Sequence, residues 1–304
     1  MARDGRALGP GPMIVRPVSG GVQVLAPAKL NLFLEVLGKR PDGYHRIETL
    51  MVAVNLYDTL TLADDASGQI TLCCDDPNLP TGAENLVVKA AERLRASAGC
   101  QRGAAIDLKK AIPAQAGLAG GSSDAAATLL ALDRLWNLQT PPGRLDALAG
   151  EIGSDVAFFL HAPAAVCTGR GEQVNAVTLP HAFHFVLVCP PVGQSTADVY
   201  RNLTPPDRPR PVEPAVTALA GGDPEALGRV LFNRLQSVAE RLNPALVPVR
   251  EALANLSPSL DGHLMSGSGS AYFGLGRNLD AARRAARALE TLGLGRVRVV
   301  TCGP

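Results

Sequence analysis

From Val22 onward, apolar residues alternate with polar ones or run together in short blocks bounded by turn residues. Val22 to Leu25, Leu30 to Leu37, Ile47 to Leu56, Leu60 to Leu62 and Ile70 to Cys73 read as strands, separated by turns such as Pro41-Asp42-Gly43. This predicts an N-terminal antiparallel sheet. At Asn85 the period lengthens, and Leu86, Ala90, Leu94 and Ala98 share a helical face. Ile106 to Leu108 reads as a further strand. Past a glycine-rich stretch, Leu129, Leu132 and Trp136 continue a second helix, and a third runs from Pro142 to about Ile152 with proline in its first turn.

Near Val177 to His181 the pattern changes, and His184 to Val188 reads as a strand opening a second region. Helical patterns follow around Pro224 to Leu242 and Ala245 to Leu256, then a strand at Ala271 to Leu275, a helix at Leu279 to Leu292 and a strand at Val297 to Thr301. Pro205 to Pro214 is expected to be an exposed loop. The mixture suggests an α+β chain divided into residues 23–181 and 182–304. Residues 1–22, rich in glycine and proline and without a sustained apolar core, are expected to be a disordered tail, inside which Met13 is an alternative start.

Composition narrows the function. With 304 residues, of which 46% are hydrophobic and 19% charged, the chain has material for about two domains. A formal net charge of +1 and an aromatic content of 4% speak against nucleic acid or an anionic membrane as partner. No apolar run approaches the ~20 residues that span a bilayer. The six cysteines show no metal-ligand spacing, which fits a reducing, cytoplasmic compartment. Oligomeric state leaves no signal in the sequence.

The candidate chemistry begins at Pro113 to Ala126, a loop poor in large side chains that leads into a helix. Its glycines, Gly117, Gly120 and Gly121, permit positive φ and close approach of backbone to ligand, and the helix start adds a positive end. Such a point suits an anion, with phosphate the usual one. It lacks the lysine of a P-loop and the spacing of a dinucleotide fingerprint. Ala116 and Ala119 stand among the glycines, and alanine forced to positive φ would be strained by ~1 kcal/mol.

Lys29 is the only charged residue between Val22 and Leu34. It either snorkels to the surface or meets an anion. Asp155, after Gly153-Ser154, is either a turn residue or its partner in phosphoryl transfer. In the second role Asp155 steers the proton of a substrate hydroxyl, while Lys29 keeps that carboxylate ionised and steadies phosphoryl charge.

Three blocks, Pro27-Ala28-Lys29-Leu30-Asn31, Pro113 to Ala126 and Ser266-Gly267-Ser268-Gly269, resemble in order and spacing the three motifs of the GHMP kinase superfamily, which phosphorylates small alcohols with ATP. Arg40-Pro41-Asp42-Gly43-Tyr44-His45 and Gly153-Ser154-Asp155-Val156 resemble the branch acting on a cytidine-diphosphate-linked methylerythritol. The resemblance implies a two-lobed α+β fold with its site in the cleft between lobes, Lys29 and Asp155 as the catalytic pair, and ATP with Mg²⁺ as cofactor. It implies an ATP loop of Pro113, Ala114, Gln115, Ala116, Gly117, Leu118, Ala119, Gly120, Gly121, Ser122 and Ser123, with Ser122 or Ser123 near the metal. Substrate contacts are implied for Asn31, Tyr44, His45, Lys110, Tyr200, Gly267, Ser268 and Gly269, with Tyr44 stacking on the base and His45 reading its edge. Competing readings are a kinase for homoserine or mevalonate, a sensor that has lost turnover, and a dinucleotide-dependent oxidoreductase.

Overall fold

A computed structural model describes residues 13–161, 163–256 and 259–303. In chain order its first elements are β1 (Ile14–Val18), β2 (Gly21–Lys39), β3 (His45–Asp65), β4 (Ile70–Cys74), α1 (Leu86–Ala98), β5 (Gly103–Lys109), α2 (Gly120–Leu135), α3 (Pro142–Ile152) and α4 (Phe158–His161). There follow β6 (Ala164–Gly169), β7 (Gln173–Ala176), β8 (Phe183–Cys189), α5 (Thr196–Arg201), α6 (Glu213–Gly221), α7 (Pro224–Val230), β9 (Phe232–Asn233), α8 (Gln236–Leu242), α9 (Val247–Ala254), β10 (Leu260–Met265), β11 (Tyr272–Gly276), α10 (Leu279–Glu290) and β12 (Arg296–Cys302).

The chain forms two compact units that interleave along the sequence, where a single cut at 181/182 was expected. One comprises the described residues of Met1–Ala28, Leu56–Ile112 and Ala119–Ala162; the other comprises those of Lys29–Asn55, Pro113–Leu118 and Pro163–Pro304. The interleaving arises because β2 and β3, 19 and 21 residues long, each contribute to both units. Each merges two of the expected strands: β2 runs on through Pro27 and β3 through Asp58 without turning.

In the first unit, β1 pairs antiparallel with the start of β2, Ile14 opposite Leu25. The expected tail is therefore corrected from residue 14 onward: Ile14 to Val18 form a strand because the turn at Gly20 (φ +77°) folds them back on β2. Positions 1–12 of that tail lie outside the described residues. The second half of β3 pairs antiparallel with β5, and β4 pairs parallel with β5, so the sheet is not wholly antiparallel as expected. Helices α1, α2 and α3 pack on one another. Asn85 caps α1, its side chain accepting from the Val87 N–H, and Leu94, Ala90 and Val87 supply the buried face.

In the second unit, the first half of β3 pairs with β6, β6 with β7, and β2 runs parallel to β9. A separate antiparallel sheet has the order β10-β11-β8-β12 and carries α10, whose Ala285, Ala286 and Leu289 join Val186, Val188 and Tyr272 in the core. The single helix expected from Pro224 to Leu242 is broken at Phe232-Asn233, which leave the helix to hydrogen-bond with β2. Among the described residues no helix is long and apolar enough to cross a membrane.

Candidate active site

Strand β2 is half-buried at its start and buried on both faces from Ala26 to Val36, which carries Lys29 and Asn31 into the interior. Lys29 is 3% exposed, so it does not snorkel. Its ammonium donates to the Gly117 carbonyl at 2.8 Å and to Asn31 Oδ1. The Ser266 hydroxyl donates to the same carbonyl at 3.0 Å, and the Asn31 N–H reaches Ser266 Oγ at 3.3 Å. Asn31 is fixed by donating to Thr49 Oγ1 at 2.8 Å, and Thr49 donates to the Phe33 carbonyl at 2.6 Å. Within this unit the fold thus brings together one stretch from each of the three blocks singled out in the sequence.

The glycines explain how they fit. Gly117 has φ +74°, and a Cβ there would overlap the Ser266 carbonyl oxygen. At Gly267 (φ +55°) a Cβ would lie 3.1 Å from the Gly117 carbonyl oxygen and 3.2 Å from Lys29 Nζ. Asn233 completes the arrangement, donating to the Met265 and Gly267 carbonyls at 2.8 and 2.7 Å. Ser268 Oγ lies 2.7 Å from Thr196 Oγ1.

The carbonyls of Gln115, Ala116, Gly117 and Leu118 all accept hydrogen bonds: from the N–H groups of Gln194 and Ala271, from the Lys29 and Ser266 side chains, and from the Lys29 N–H, respectively. In a trans peptide the N–H points opposite to the C=O. The N–H groups of Ala116, Gly117 and Leu118 therefore each point away from the partner of their own peptide's carbonyl. Gln115 (φ +52°), Gly117 (+74°) and Ala119 (+56°) take positive φ at alternate positions. Of the two alanines in question only Ala119 takes positive φ.

In the first unit Ala119 is the N-cap of α2 and offers no side-chain cap, which leaves the first-turn N–H groups available to a ligand. Gly120 sits where a Cβ would lie 3.2 Å from Asp58 Oδ2 and 3.1 Å from Ile112. Asp58, wholly buried, accepts from the N–H groups of Ala111 and Ile112 at 2.6 and 2.9 Å. Lys110 bridges Asp58 and Asp124, at 2.6 Å from Asp124 Oδ2. Burial works against the Lys110 charge, but the two carboxylates outweigh it and raise its pKa. One ammonium cannot neutralise both carboxylates. Burial, with Asp58 adding to it against the pull of Lys110, pushes Asp124 up to about 7. Ser123 Oγ and Asp124 Oδ1 are buried and make no hydrogen bond, while Ser122 is half-buried. Asp155 is half-buried in the turn between α3 and α4.

The aromatic group lies in the second unit. The Arg40-to-Tyr44 turn is closed by the Arg40 N–H to the Tyr44 carbonyl at 2.7 Å, and Asp42 accepts from the Arg40 guanidinium and from the Tyr44 N–H. Tyr44 is 53% exposed. His45 and Tyr200 are neighbours, ring centroids 5.2 Å apart at 32°. Burial foremost, and Lys39 after it, lower the His45 pKa below 6.5, so its ring is neutral at pH 7.

Asp58, Asn233 and Arg170, whose Cζ lies 5.0 Å from the Tyr44 ring centroid, are not among the residues the sequence points to. A polar residue inside an apolar strand pattern was the available signal for Asp58; nothing local marks Arg170.

The chain belongs to the GHMP kinases: residues 85–162 match the N-terminal domain of that family and residues 215–293 its C-terminal domain. It is a small-molecule kinase with the α+β fold of that family. It is 43% identical over 267 residues, 87% of this chain and 92% of the relative, to 4-diphosphocytidyl-2-C-methyl-D-erythritol kinase of Pelotomaculum thermopropionicum. A crystal structure of 4-(cytidine 5'-diphospho)-2C-methyl-D-erythritol kinase is similar at a TM-score of 0.76 and 41% identity, over 93% of this chain and 99% of that one. Homoserine kinase from Cytophaga hutchinsonii shares the fold at a TM-score of 0.73 and 22% identity, over 95% of this chain and 96% of that one.

Proposed function

We propose that this kinase transfers the γ-phosphoryl group of ATP to the 2-hydroxyl of 4-diphosphocytidyl-2-C-methyl-D-erythritol, giving ADP and the 2-phosphate, a step of isoprenoid precursor synthesis outside the mevalonate route. The observation that carries the acceptor is the grouping of Tyr44, His45 and Tyr200: an exposed ring on a closed turn beside a neutral imidazole and a second ring. Homoserine and mevalonate have no base to stack on, and the relatives named for the cytidyl substrate support the same choice.

In this reading the backbone N–H groups of the 113–123 loop, with the uncapped start of α2, take the ATP phosphates. Lys29, already turned toward the Gly117 carbonyl, steadies charge on the transferred group, and Asp155 takes the hydroxyl proton. Deprotonation need not come early, because the loose transition state asks mainly for position and electrostatics. Asn31, Gly267, Ser268 and Gly269 shape the acceptor side. Lys110 supports the loop by bridging Asp58 and Asp124. The sequence division at 181/182 separates the two family-domain matches, and we keep it as the functional boundary.

Mg²⁺ arrives with ATP and supplies charge neutralisation between phosphates. Ser123 Oγ and Asp124 Oδ1, buried and without hydrogen bonds, are hard oxygen donors that fit it and would hold it together with phosphate oxygens. The six free thiols suit a cytoplasmic setting.

The test is incubation with Mg-ATP and the cytidyl acceptor, with mevalonate and homoserine in parallel, following ADP release and acceptor mass. One added phosphate on the cytidyl substrate alone is expected. ATP binding with no acceptor phosphorylated would reject this reading and favour a sensor. Asp155→Asn should lower kcat by orders of magnitude while ATP still binds.

A further inference from the structure

The turn joining β6 to β7 delivers one more side chain to the aromatic group. Because Ile47 of β3 pairs with Gly169 of β6, the turn at 170–172 emerges beside the 40–45 segment. Gly169 (φ +74°) and Gly171 (φ +123°) tighten it, and the Gly171 N–H donates to the Thr168 carbonyl at 3.0 Å. Glu172 folds back to accept from the Arg170 N–H at 2.5 Å and lies 3.9 Å from Arg170 Nε. A Cβ at Gly169 would lie 2.8 Å from that carboxylate, so the glycine leaves room for the folded-back Glu172. Arg170 is held at its base, its side chain is 26% exposed, and its guanidinium lies over the Tyr44 ring at 5.0 Å from the centroid.

We propose that Arg170 is a positioning residue for recognition of the pyrimidine: it covers one face of Tyr44, fixes the ring, and turns the opposite face toward the base. This rests on the cytidyl reading above. A tyrosine on an exposed turn would otherwise lose its rotamer freedom on binding; held by a guanidinium, it loses that freedom on folding, and the acceptor binds more tightly. The Asp42 carboxylate, whose pKa is lowered first by Arg40 and further by Arg170, links the turn to the same cation. Arg170 thus acts through Tyr44, and its effect belongs to the acceptor and not to ATP.

The experiment is a double-mutant cycle of Arg170→Ala and Tyr44→Ala in the full-length enzyme, with Arg170→Lys as the conservative variant. KM for the cytidyl acceptor, KM for ATP, kcat and thermal midpoint are measured for each. Arg170→Ala should raise the acceptor KM about three- to fivefold. KM for ATP and kcat should stay within about twofold, and Arg170→Lys should recover part of the loss. In the Tyr44→Ala background, removing Arg170 should add nothing. An equal loss in both backgrounds would overturn the proposal, because Arg170 would then act on substrate or fold directly; so would an unchanged acceptor KM, or a parallel rise in KM for ATP. If Arg170→Ala does not fold, Arg170→Gln takes its place in the cycle. Wild-type enzyme that leaves the cytidyl acceptor unphosphorylated overturns the functional reading and this inference together, whereas a working wild type with an insensitive Arg170 overturns the inference alone.

Discussion

Residues 115–118 of the glycine-rich loop are held through their backbone carbonyls, which take hydrogen bonds from the N–H groups of Gln194, Ala271 and Lys29 and from the Ser266 and Lys29 side chains. Residues 120–124, which begin α2, sit by a buried cluster of Asp58, Lys110 and Asp124. One stretch is fixed by shape, the other by charge. Shape-fixed backbone fails when a side chain is added. A buried cluster with one more carboxylate than ammonium fails when a charge is removed and responds to protons.

The largest effect should come from the charged side. Lys110→Ala leaves two buried carboxylates without a cation and should cost about 3 to 5 kcal/mol of stability at pH 8. At pH 5 the loss should shrink, because the carboxylates can take up protons. Lys110→Met keeps most of the packing, so an equal loss in Met and Ala, read by urea unfolding, assigns the effect to charge. A loss independent of pH would contradict the contrast.

Gly117→Ala tests the shape-fixed stretch. The new Cβ meets the Ser266 carbonyl oxygen at positive φ, so the loop must move. kcat/KM for ATP should fall about 100-fold or more, roughly 3 kcal/mol, with stability changed by about 1 kcal/mol. If unfolding shifts as far as activity does, the loop is a structural support and not a ligand cradle.

Asp124 sharpens the comparison through its pH dependence. Its pKa is raised from 3.8 to about 7 in the folded chain, so between those values the folded state holds a proton that the unfolded state has lost. Its contribution to stability is therefore full below pH 3.8 and is lost as pH rises through 7. Asp124→Asn removes that slope, and the variant should gain on wild type between pH 5 and about 7 by about 1.4 kcal/mol per pH unit at most. Parallel stability curves would show that Asp124 stays ionised throughout.

What the sequence displayed and what it hid divide along the same line. The three motifs were legible because glycines, a lone lysine in an apolar run and two consecutive serines are local signals, and Asn85 announced its helix as a cap does. The cluster was not, since Asp58, Lys110 and Asp124 meet only through the pairing of β3 with β5 and the start of α2. Asn233 and Arg170 were hidden for the same reason: each acts on a segment far away in sequence, Met265 to Gly267 and Tyr44. The break at Phe232-Asn233 overrode a helical pattern because β2 offered parallel hydrogen bonds.

Ala119 gives the smallest and most discriminating test, because it stands where the two stretches join. Its φ of 56° and ψ of 32° lie in the left-handed region, where a Cβ costs about 1 kcal/mol or more. Glycine would relieve that strain but would also enlarge the unfolded ensemble by about 0.4 to 1 kcal/mol. Ala119→Gly should accordingly stabilise by no more than about 1 kcal/mol, as a rise in the urea midpoint at unchanged slope. Its effect on KM for ATP carries the information. If alanine holds the helix start in the conformation that binds phosphate, glycine loosens it, and KM for ATP should rise even as the protein becomes more stable. A fall in KM together with the gain in stability would mean that the strain at Ala119 opposes binding and that the conformation that binds phosphate is set by residues 115–118 alone.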